Sequence, residues 1–363
     1  MKTIEYEDLG RLNHPFFDEY KRTFSRVLDS GWFVLGNSVR DFEGAFAKYC
    51  SVSHSCGVAN GLDALILALK CLDIEQDSEI IVPSNTYIAT ILAIVHAGHR
   101  PVLVEPDIET YNIDPDEIEE RITPKTKAIM VVHLYGKVCA MDQIQEISSR
   151  HNLYIVEDCA QAHGARFKNR MAGSFGDFGA FSFYPTKNLG ALGDAGCLVT
   201  NDQRLHIKAA TMRNYGSKTK YLNEMVGYNS RLDEIQAAFL LIKLAHLDSI
   251  NSHKRKLADL YFRNLKSDYI LPQRHSDYYD VFHIFNVRHE KRDKLREFLL
   301  KKGIKTEIHY PIPPVKQIAM KGVLDGFQTP ISEEIHQTTL SLPISFCHSE
   351  DDVLAVTDAM NKF

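Results

Sequence analysis

The sequence has no long hydrophobic run and no cluster of basic residues. Its most apolar stretch, residues 88–95, is far shorter than the about 20 residues that cross a bilayer. Lys and Arg number 42 against 47 Asp and Glu, so the net charge of −5 gives no footprint for nucleic acid. The seven cysteines form no C-x-x-C pair, and the polar N-terminus does not resemble a secretory signal. We therefore expect a soluble, cytoplasmic protein with reduced thiols that binds neither nucleic acid nor a membrane.

Four motifs that are common among α/β enzymes are also missing. There is no G-x-x-x-x-G-K-[ST], no G-x-G-x-x-G after the first strand and no G-x-S-x-G. The sixteen histidines show no zinc-like spacing, so we predict no metal site. These absences disfavour a P-loop NTPase, a Rossmann dinucleotide enzyme, an α/β-hydrolase and a zinc enzyme.

Apolar runs alternate with helical spacing through the first two-thirds of the chain. The runs predict strands at residues 79–82, 101–104, 128–132, 153–156, 178–183 and 196–200. The helical spacing predicts helices at residues 61–72, 86–97 and 141–150. Strands that are apolar on both faces and separated by helices indicate an α/β fold with a mainly parallel, covered sheet.

The pattern changes in the last third of the chain. A long helical pattern begins near residue 233 and runs on towards Tyr261. It is followed by a predicted strand and two predicted helices, at residues 281–287, 293–302 and 351–360. We expect a large α/β domain of residues 1–245 and a small C-terminal α+β domain of residues 246–363.

Two stretches carry residues suited to chemistry. Lys187 follows an aromatic run and precedes glycines, and a poorly hydrated lysine there has a lowered pKa and a nucleophilic amine. The alternative is a loop lysine whose ammonium reaches solvent. Glu157 and Asp158 end a buried strand, and only one of them can face the ligand edge of the sheet. A helix cap or a solvated acid is the alternative there.

These stretches stand in a longer series of motifs. The series comprises Gly61-Leu62 at a helix start, Ser84-Asn85-Thr86-Tyr87, His133-Leu-Tyr-Gly136, Glu157-Asp-x-Ala-Gln-x-His-Gly164, Ser182-Phe-x4-Lys187, Gly193-Asp-x-Gly196 and Gly227-Tyr-Asn229-Ser-Arg231. As a set it resembles the pyridoxal-phosphate-dependent sugar aminotransferases of the DegT/StrS type, from about residue 33 to the end. The resemblance implies the fold of aspartate aminotransferase, called fold type I, and the cofactor pyridoxal 5′-phosphate.

The resemblance also implies roles around the cofactor ring. Lys187 corresponds to the Schiff-base lysine, and Asp158 to the acid that keeps the pyridine nitrogen protonated. Tyr87 corresponds to the aromatic residue that stacks on the ring, although it equally suits core packing. Gln161 corresponds to a partner of the ring hydroxyl.

By the same resemblance, the amides of Gly61 and Leu62 and the hydroxyl of Ser182 hold the phosphate. Many relatives have a small hydroxyl residue where Leu62 stands, so backbone amides must suffice there. Asn229 corresponds to a residue that reaches the phosphate of the neighbouring subunit, which implies a homodimer with shared active sites. An ordinary loop asparagine is the alternative for Asn229.

The sugar side departs from the family pattern in two places. Tyr184 stands where many relatives have His, which suggests that it faces the sugar, and Val315 stands where His is frequent. His309 and Tyr310 belong to a segment that resembles the sugar-side segment of the family. The run 213–221, which includes Arg213, Lys218 and Tyr221, is expected to supply cations for a pyrophosphate near the cleft. The alternative is a solvated loop.

The resemblance implies transfer of an amino group from L-glutamate to a nucleotide-linked keto-sugar. Residues 60–63 and 133–136 most resemble members that aminate the 3-keto position of dTDP-6-deoxyhexoses, to give dTDP-3-amino-3,6-dideoxyhexoses for a surface glycan. A 4-keto aminotransferase is the alternative within the family, and a non-catalytic regulator or sugar-binding protein is the alternative outside it. The intact Lys187 disfavours both dehydration and loss of catalysis.

Overall fold

The computed structural model describes residues 3–363. The helices are α1 (Leu9–Asn13), α2 (Phe17–Ser30), α3 (Asn37–Tyr49), α4 (Gly61–Cys71), α5 (Ile88–Ala97), α6 (Pro115–Ile118), α7 (Met141–His151), α8 (Gln203–Met212), α9 (Glu234–Leu244), α10 (Leu247–Asn264), α11 (Arg292–Lys301), α12 (Pro330–Thr338) and α13 (Glu350–Met360). The strands are β1 (His54–Val58), β2 (Glu79–Pro83), β3 (Arg100–Val104), β4 (Thr126–Val132), β5 (Tyr154–Asp158), β6 (Arg166–Phe167), β7 (Arg170–Met171), β8 (Phe178–Ser182), β9 (Gly196–Thr200), β10 (Ser217–Thr219), β11 (Leu222–Asn223), β12 (Tyr278–Tyr279), β13 (Phe285–Arg288) and β14 (Thr339–Leu342).

A seven-stranded sheet forms the centre of the fold, in the order β1-β9-β8-β5-β4-β2-β3. Neighbouring strands from β8 to β3 pair in parallel, and β9 alone runs against its neighbours β1 and β8. Residues on both faces of these strands are buried, because helices cover the sheet on each side. The predicted α/β fold with a mainly parallel sheet is therefore confirmed.

The long helical pattern predicted from residue 233 to Tyr261 is wrong as a single helix. The structure has two helices there, because the backbone at His246 leaves the helical range and α10 starts anew. The predicted strand 281–287 also begins later, at Phe285, where pairing with β14 starts. Neither change is marked by a glycine or a proline, so neither could be predicted from the local residue pattern.

The C-terminal part has an apolar core of its own. Leu257, Phe285, Leu295 and Val353 belong to this core, which Ile4 joins from the other end of the chain. We propose that residues 1–245 and 246–363 are the two domains. Residues 1 and 2 of the first domain lie outside the described part of the chain. The separate core and the helix break at His246 support this division.

Three helices near the start of the chain were not predicted. Val39, Phe42 and Phe46 in α3 are buried at spacings of three and four, a pattern that the sequence does contain. Within residues 3–363, every helix is too short or too polar to pass through a bilayer.

Candidate active site

Lys187 lies in a turn directly after β8, at the edge of the sheet where the parallel strands end. The turn is closed by a 2.8 Å hydrogen bond from the Lys187 amide to the Tyr184 carbonyl. The side chain is mostly buried, and its ammonium has no hydrogen-bond or ion-pair partner among residues 3–363. Burial lowers the pKa of Lys187 to about 8, and the negative charge of Asp158 opposes that change. A buried amine without a partner is available to react.

Asp158, the last residue of β5, is 6% exposed and lies close enough to Lys187 for their charges to interact. Its Oδ2 accepts a 2.8 Å hydrogen bond from the Thr90 hydroxyl, and its Oδ1 a 3.1 Å bond from the Ala160 amide. Burial raises the pKa of Asp158, whereas these two hydrogen bonds lower it. Thr90 was not predicted as a site residue; it stands one helical turn after Thr86, and the two hydroxyls are 2.7 Å apart.

Glu157 points to the opposite side of the sheet from Asp158, as the alternation of strand side chains requires. Its carboxylate accepts hydrogen bonds from the amides of Gly173, Phe175 and Gly176 at 2.7 to 2.8 Å. His133 Nε2 donates a fourth bond at 2.9 Å, because its Nδ1 already accepts one from the Cys139 amide. This acid therefore anchors a loop, and only Asp158 is left to face the site.

Gln161 connects two aromatic residues at the site. Its Oε1 accepts a 2.6 Å hydrogen bond from the Tyr135 amide, and its Nε2 donates to the Tyr310 hydroxyl at 2.8 Å. The Tyr310 ring in turn lies against the Tyr87 ring, with centroids 5.0 Å apart. Gln161, Tyr87 and Tyr310 are thus brought together from three distant parts of the sequence.

The start of α4 and the end of β8 form a close-packed cradle. The amides of Gly61 and Leu62 have no acceptor within the described chain, since the Asn60 side chain caps the Asp63 amide instead. A Cβ atom on Gly61 would lie 2.6 Å from the Cβ of Ser182, and one on Gly196 would lie 2.3 Å from the Asn60 carbonyl oxygen. Free amides at the start of an eleven-residue helix beside a hydroxyl attract an anion.

Tyr184 and His309 also lie around Lys187. Tyr184 is half-exposed, and its ring is open to solvent. His309 Nδ1 lies 2.8 Å from the Ser341 hydroxyl, and its ring packs against the Tyr310 ring. Burial lowers the pKa of His309 to about 4, with a further contribution from the charge of Lys187.

Three predicted residues are not joined to this site within the chain. Lys218 pairs with Glu224 at 2.8 Å in an exposed hairpin, where Tyr221 is 89% exposed. Asn229 is exposed beside that hairpin, next to Asn214 on a β-bridge.

The expectation that Arg213 supplies a cation to the cleft is wrong. Its guanidinium is buried against the Glu43 carboxylate and donates to the Gly57 carbonyl at 2.6 Å. A guanidinium that is buried and paired in this way is not free to meet a ligand.

The groups at the site fit the cofactor that the family resemblance implies. Lys187 offers an unpartnered amine for the aldehyde, and Asp158 offers a buried acid for the ring nitrogen. The cradle at Gly61 and Ser182 has the free amides and the hydroxyl that a phosphate needs. Amine, acid and anion cradle are the three functions that pyridoxal phosphate requires of a protein.

Comparisons with known proteins agree with this geometry. The DegT/DnrJ/EryC1/StrS aminotransferase family matches residues 17–361. A dTDP-3-amino-3,6-dideoxy-alpha-D-galactopyranose transaminase of Aneurinibacillus thermoaerophilus is 51% identical over 362 residues, 99% of each chain. DesV of S. venezuelae, solved in complex with a ketimine intermediate, has a TM-score of 0.97 at 44% identity, covering 100% of this chain and 98% of DesV. NtdA from Bacillus subtilis, solved with bound PMP, has a TM-score of 0.93 at 29% identity, covering 99% and 85%.

The match covers almost the entire chain, and the relatives match over most or all of their own length. The family depends on pyridoxal 5′-phosphate. The chain therefore belongs to the DegT/DnrJ/EryC1/StrS aminotransferase family, and it is a sugar aminotransferase that uses this cofactor.

Proposed function

We propose that the enzyme transfers an amino group from L-glutamate to the 3-keto group of a dTDP-linked 6-deoxyhexose. The product is then a dTDP-3-amino-3,6-dideoxyhexose for a surface glycan. The observation that carries the reaction class is the unpartnered amine of Lys187 beside the buried Asp158. The relative at 51% identity, a transaminase named for a dTDP-3-amino-3,6-dideoxy sugar, supports the choice of substrate.

The proposed chemistry depends on proton movements at two side chains. When bound, the cofactor supplies an electron sink for the carbon that loses its proton. Lys187 Nζ would take that proton and deliver it to the other carbon bonded to the transferred nitrogen, because a pKa of about 8 suits both steps near neutral pH. Asp158 holds a proton on the ring nitrogen, and the hydrogen bond from Thr90 fixes the orientation of its carboxylate.

Tyr87 and Gln161 would orient the ring of the cofactor. Tyr87 is half-exposed and offers its face for stacking. The Gln161 amide donates to the Tyr310 hydroxyl in this structure, and the same donor suits the ring hydroxyl of the cofactor. Tyr310 would then turn towards the sugar, next to Tyr184 and His309.

We further propose that the enzyme is a homodimer in which Asn229 completes the neighbouring site. Asn229 is exposed and its side chain has no hydrogen-bond partner within residues 3–363. Large apolar side chains are exposed in two places. Trp32, Phe33 and Val34 precede α3, and Tyr221, Leu222 and Val226 lie in and after the β10–β11 hairpin. A partner subunit would cover such surface, and Lys218 and Tyr221 would meet the nucleotide at the same junction.

We also propose a cytoplasmic location. All seven cysteines are free thiols, and six of them are buried. Reduced thiols of this kind are typical of proteins in a reducing compartment.

Absorbance spectroscopy tests the reaction class. The purified protein with pyridoxal phosphate should have a visible absorbance band that L-glutamate bleaches and a keto-sugar nucleotide restores. The Lys187→Ala protein should lack this band and should not turn over. A Lys187→Ala protein that still transfers the amino group would end the proposal, whereas L-aspartate bleaching in place of L-glutamate would correct only the donor.

The position of the new amine separates the proposal from its alternative. NMR of the product formed from dTDP-3-keto-6-deoxyglucose should show nitrogen on C3. Turnover of only the 4-keto isomer, with nitrogen on C4, would replace the proposal with the 4-keto aminotransferase. A protein that binds the sugar nucleotide but transfers no amine to either isomer would favour a sugar-binding protein.

Mixed dimers test the shared site. Lys187→Ala and Asn229→Ala chains, each inactive alone, are co-expressed with different tags. Half of the dimers are then mixed, and each mixed dimer has one intact site, so the mixture should regain about a quarter of the wild-type activity. A mixture as inactive as its parents would mean that Asn229 serves the site of its own chain, whereas an Asn229→Ala chain that is active alone would mean that it serves neither site.

A further inference from the structure

The turn that carries Lys187 is held from behind by a buried polar network. Asn188, the next residue, donates through Nδ2 to Asn251 Oδ1 at 2.8 Å and to the Val281 carbonyl at 3.0 Å. Asn251 Nδ2 donates in turn to the His163 carbonyl at 2.8 Å. Asn188 and Asn251 are 4% and 1% exposed. Every polar atom of these two amides is thus satisfied by a specific partner, which fixes the turn against α10.

Lys254 of α10 completes this network with a positive charge. Its Nζ donates to Asn188 Oδ1 at 2.9 Å and to the His283 carbonyl at 3.1 Å. The side chain is 4% exposed, and neither bond is to an acid. Burial lowers the pKa of Lys254 to about 8, Glu7 opposes this, and the charge of Lys187 lowers it further. At neutral pH most of this ammonium is therefore still charged.

A second buried lysine holds the far end of the same turn. Lys243 of α9 donates to the Gly190 carbonyl at 2.9 Å and lies 3.3 Å from Asn13 Oδ1. Burial also lowers its pKa to about 8, but its electrostatic partner is Glu7, and Lys187 does not contribute. Lys243 is therefore as deeply buried as Lys254, but Lys187 is not among the charges that change its pKa.

The titratable groups that respond to the charge of Lys187 come from five separate elements: Asp158 of β5, His163 after β5, Lys254 of α10, His283 before β13 and His309 in the loop after α11. Burial lowers the pKa of all three histidines, to about 3 for His163 and about 4 for His309, so they stay neutral near pH 7. Among these groups two charges then face Lys187. One is the acid on the ring side, and the other is the ammonium behind the turn. Glu7 and Lys243 line the same small cavity behind the turn.

We propose that Lys254 is a positioning residue for Lys187: through Asn188 it holds the turn, and it places a positive charge behind the Lys187 amine. Like charges disfavour each other in a poorly solvated site, so this charge helps to keep the Lys187 amine free. The inference rests on the proposed role of Lys187 in moving protons. It assigns a function to an ammonium that the proposed reaction otherwise leaves unused.

The test measures the pKa of Lys187 directly, by competitive labelling of amines across pH 6 to 11. The sample is the full-length, cofactor-free chain, and mass spectrometry of the labelled peptide reports the reaction of Lys187. Lys254→Met removes the charge and the hydrogen bonds, whereas Lys254→Gln keeps a donor for Asn188. In both variants we expect the pKa of Lys187 to rise above about 8, because a like charge has been removed from behind the turn. The acid limb of the pH profile of kcat, measured in the loaded enzyme, should move up by the same amount.

Lys243→Met is the matched control, because it removes an equally buried ammonium that contacts the same turn from α9. It should leave the pKa of Lys187 unchanged, and thermal unfolding will show which variants are folded. An unchanged pKa in Lys254→Gln, or an equal rise in Lys243→Met, would overturn the inference. Neither result bears on the proposed function, since labelling needs neither cofactor nor substrate and the colour assay of Lys187→Ala tests that separately.

Discussion

Replacing Glu157 with glutamine tests how the loop beneath the site is held. The carboxylate accepts four hydrogen bonds, from three amides and from His133 Nε2, and it is 0% exposed. In Glu157→Gln one oxygen becomes an NH2 group. If the remaining oxygen stays with Phe175 and Gly176, the NH2 faces the Gly173 amide and His133 Nε2, which are both donors. His133 cannot reverse its donor without losing the bond from Cys139.

Two hydrogen bonds to a charged acceptor are therefore lost, and two donors are left buried without an acceptor. At about 1.5–3 kcal/mol for each bond, the free energy of unfolding should fall by about 3–6 kcal/mol. Urea unfolding followed by circular dichroism measures this loss. Glu146→Gln, an exposed change on α7, is the control and should stay within about 0.5 kcal/mol of the wild type. A Glu157→Gln protein as stable as this control would refute the description of Glu157 as a loop anchor.

Three further changes probe the site and its surroundings. Gly61→Ala puts a Cβ 2.6 Å from the Cβ of Ser182, so the affinity for pyridoxal phosphate, titrated by absorbance, should fall at least about tenfold. An unchanged affinity would mean that the cradle does not hold the phosphate. Asp158→Asn should lower kcat by about 100-fold or more while the chain still binds the cofactor, because the amide cannot hold the ring nitrogen protonated; a kcat near wild type would contradict its role. Burial lowers the pKa of Lys243 from 10.5 to about 8. Between pH 8 and 10.5 the lysine is therefore protonated in the unfolded chain but not in the folded chain, so the free energy of unfolding rises with pH. Lys243→Met has no such group, so the wild type should gain stability relative to it over this range. Urea unfolding of both proteins at pH 8 and 10 should show this growing difference, and a constant difference would be inconsistent with a titrating Lys243.

The sheet and the ring side of the site could be predicted because their determinants are local. Strand length and apolar faces placed β5 and β8, and alternation along β5 required that one of its two final acids face the site. The motif around Lys187 is one continuous segment. A local pattern of this kind can be recognised along the chain, whereas the roles of the residues around the ring come from the family resemblance and stay predictions.

The residues that support the site could not be predicted in the same way. Lys254 meets Asn188 across 66 positions of sequence, and Thr90 meets Asp158 across 68. In the sequence, Lys254 is one charge among many on a helix, and nothing local shows that its ammonium is buried. Such contacts depend on the packing of whole elements, which the sequence specifies only through the complete fold.

The position of β1 at the end of the sheet has a consequence for biosynthesis. Its neighbour β9 is translated long after it, and the amides of Gly61 reach their place against Ser182 only when β8 and β9 have left the ribosome. A chain that ends before residue 182 therefore contains Gly61 without Ser182, so its anion cradle is incomplete. The complete cradle thus requires that the chain has been synthesised at least through Ser182 and that the sheet between β1 and β8 has formed.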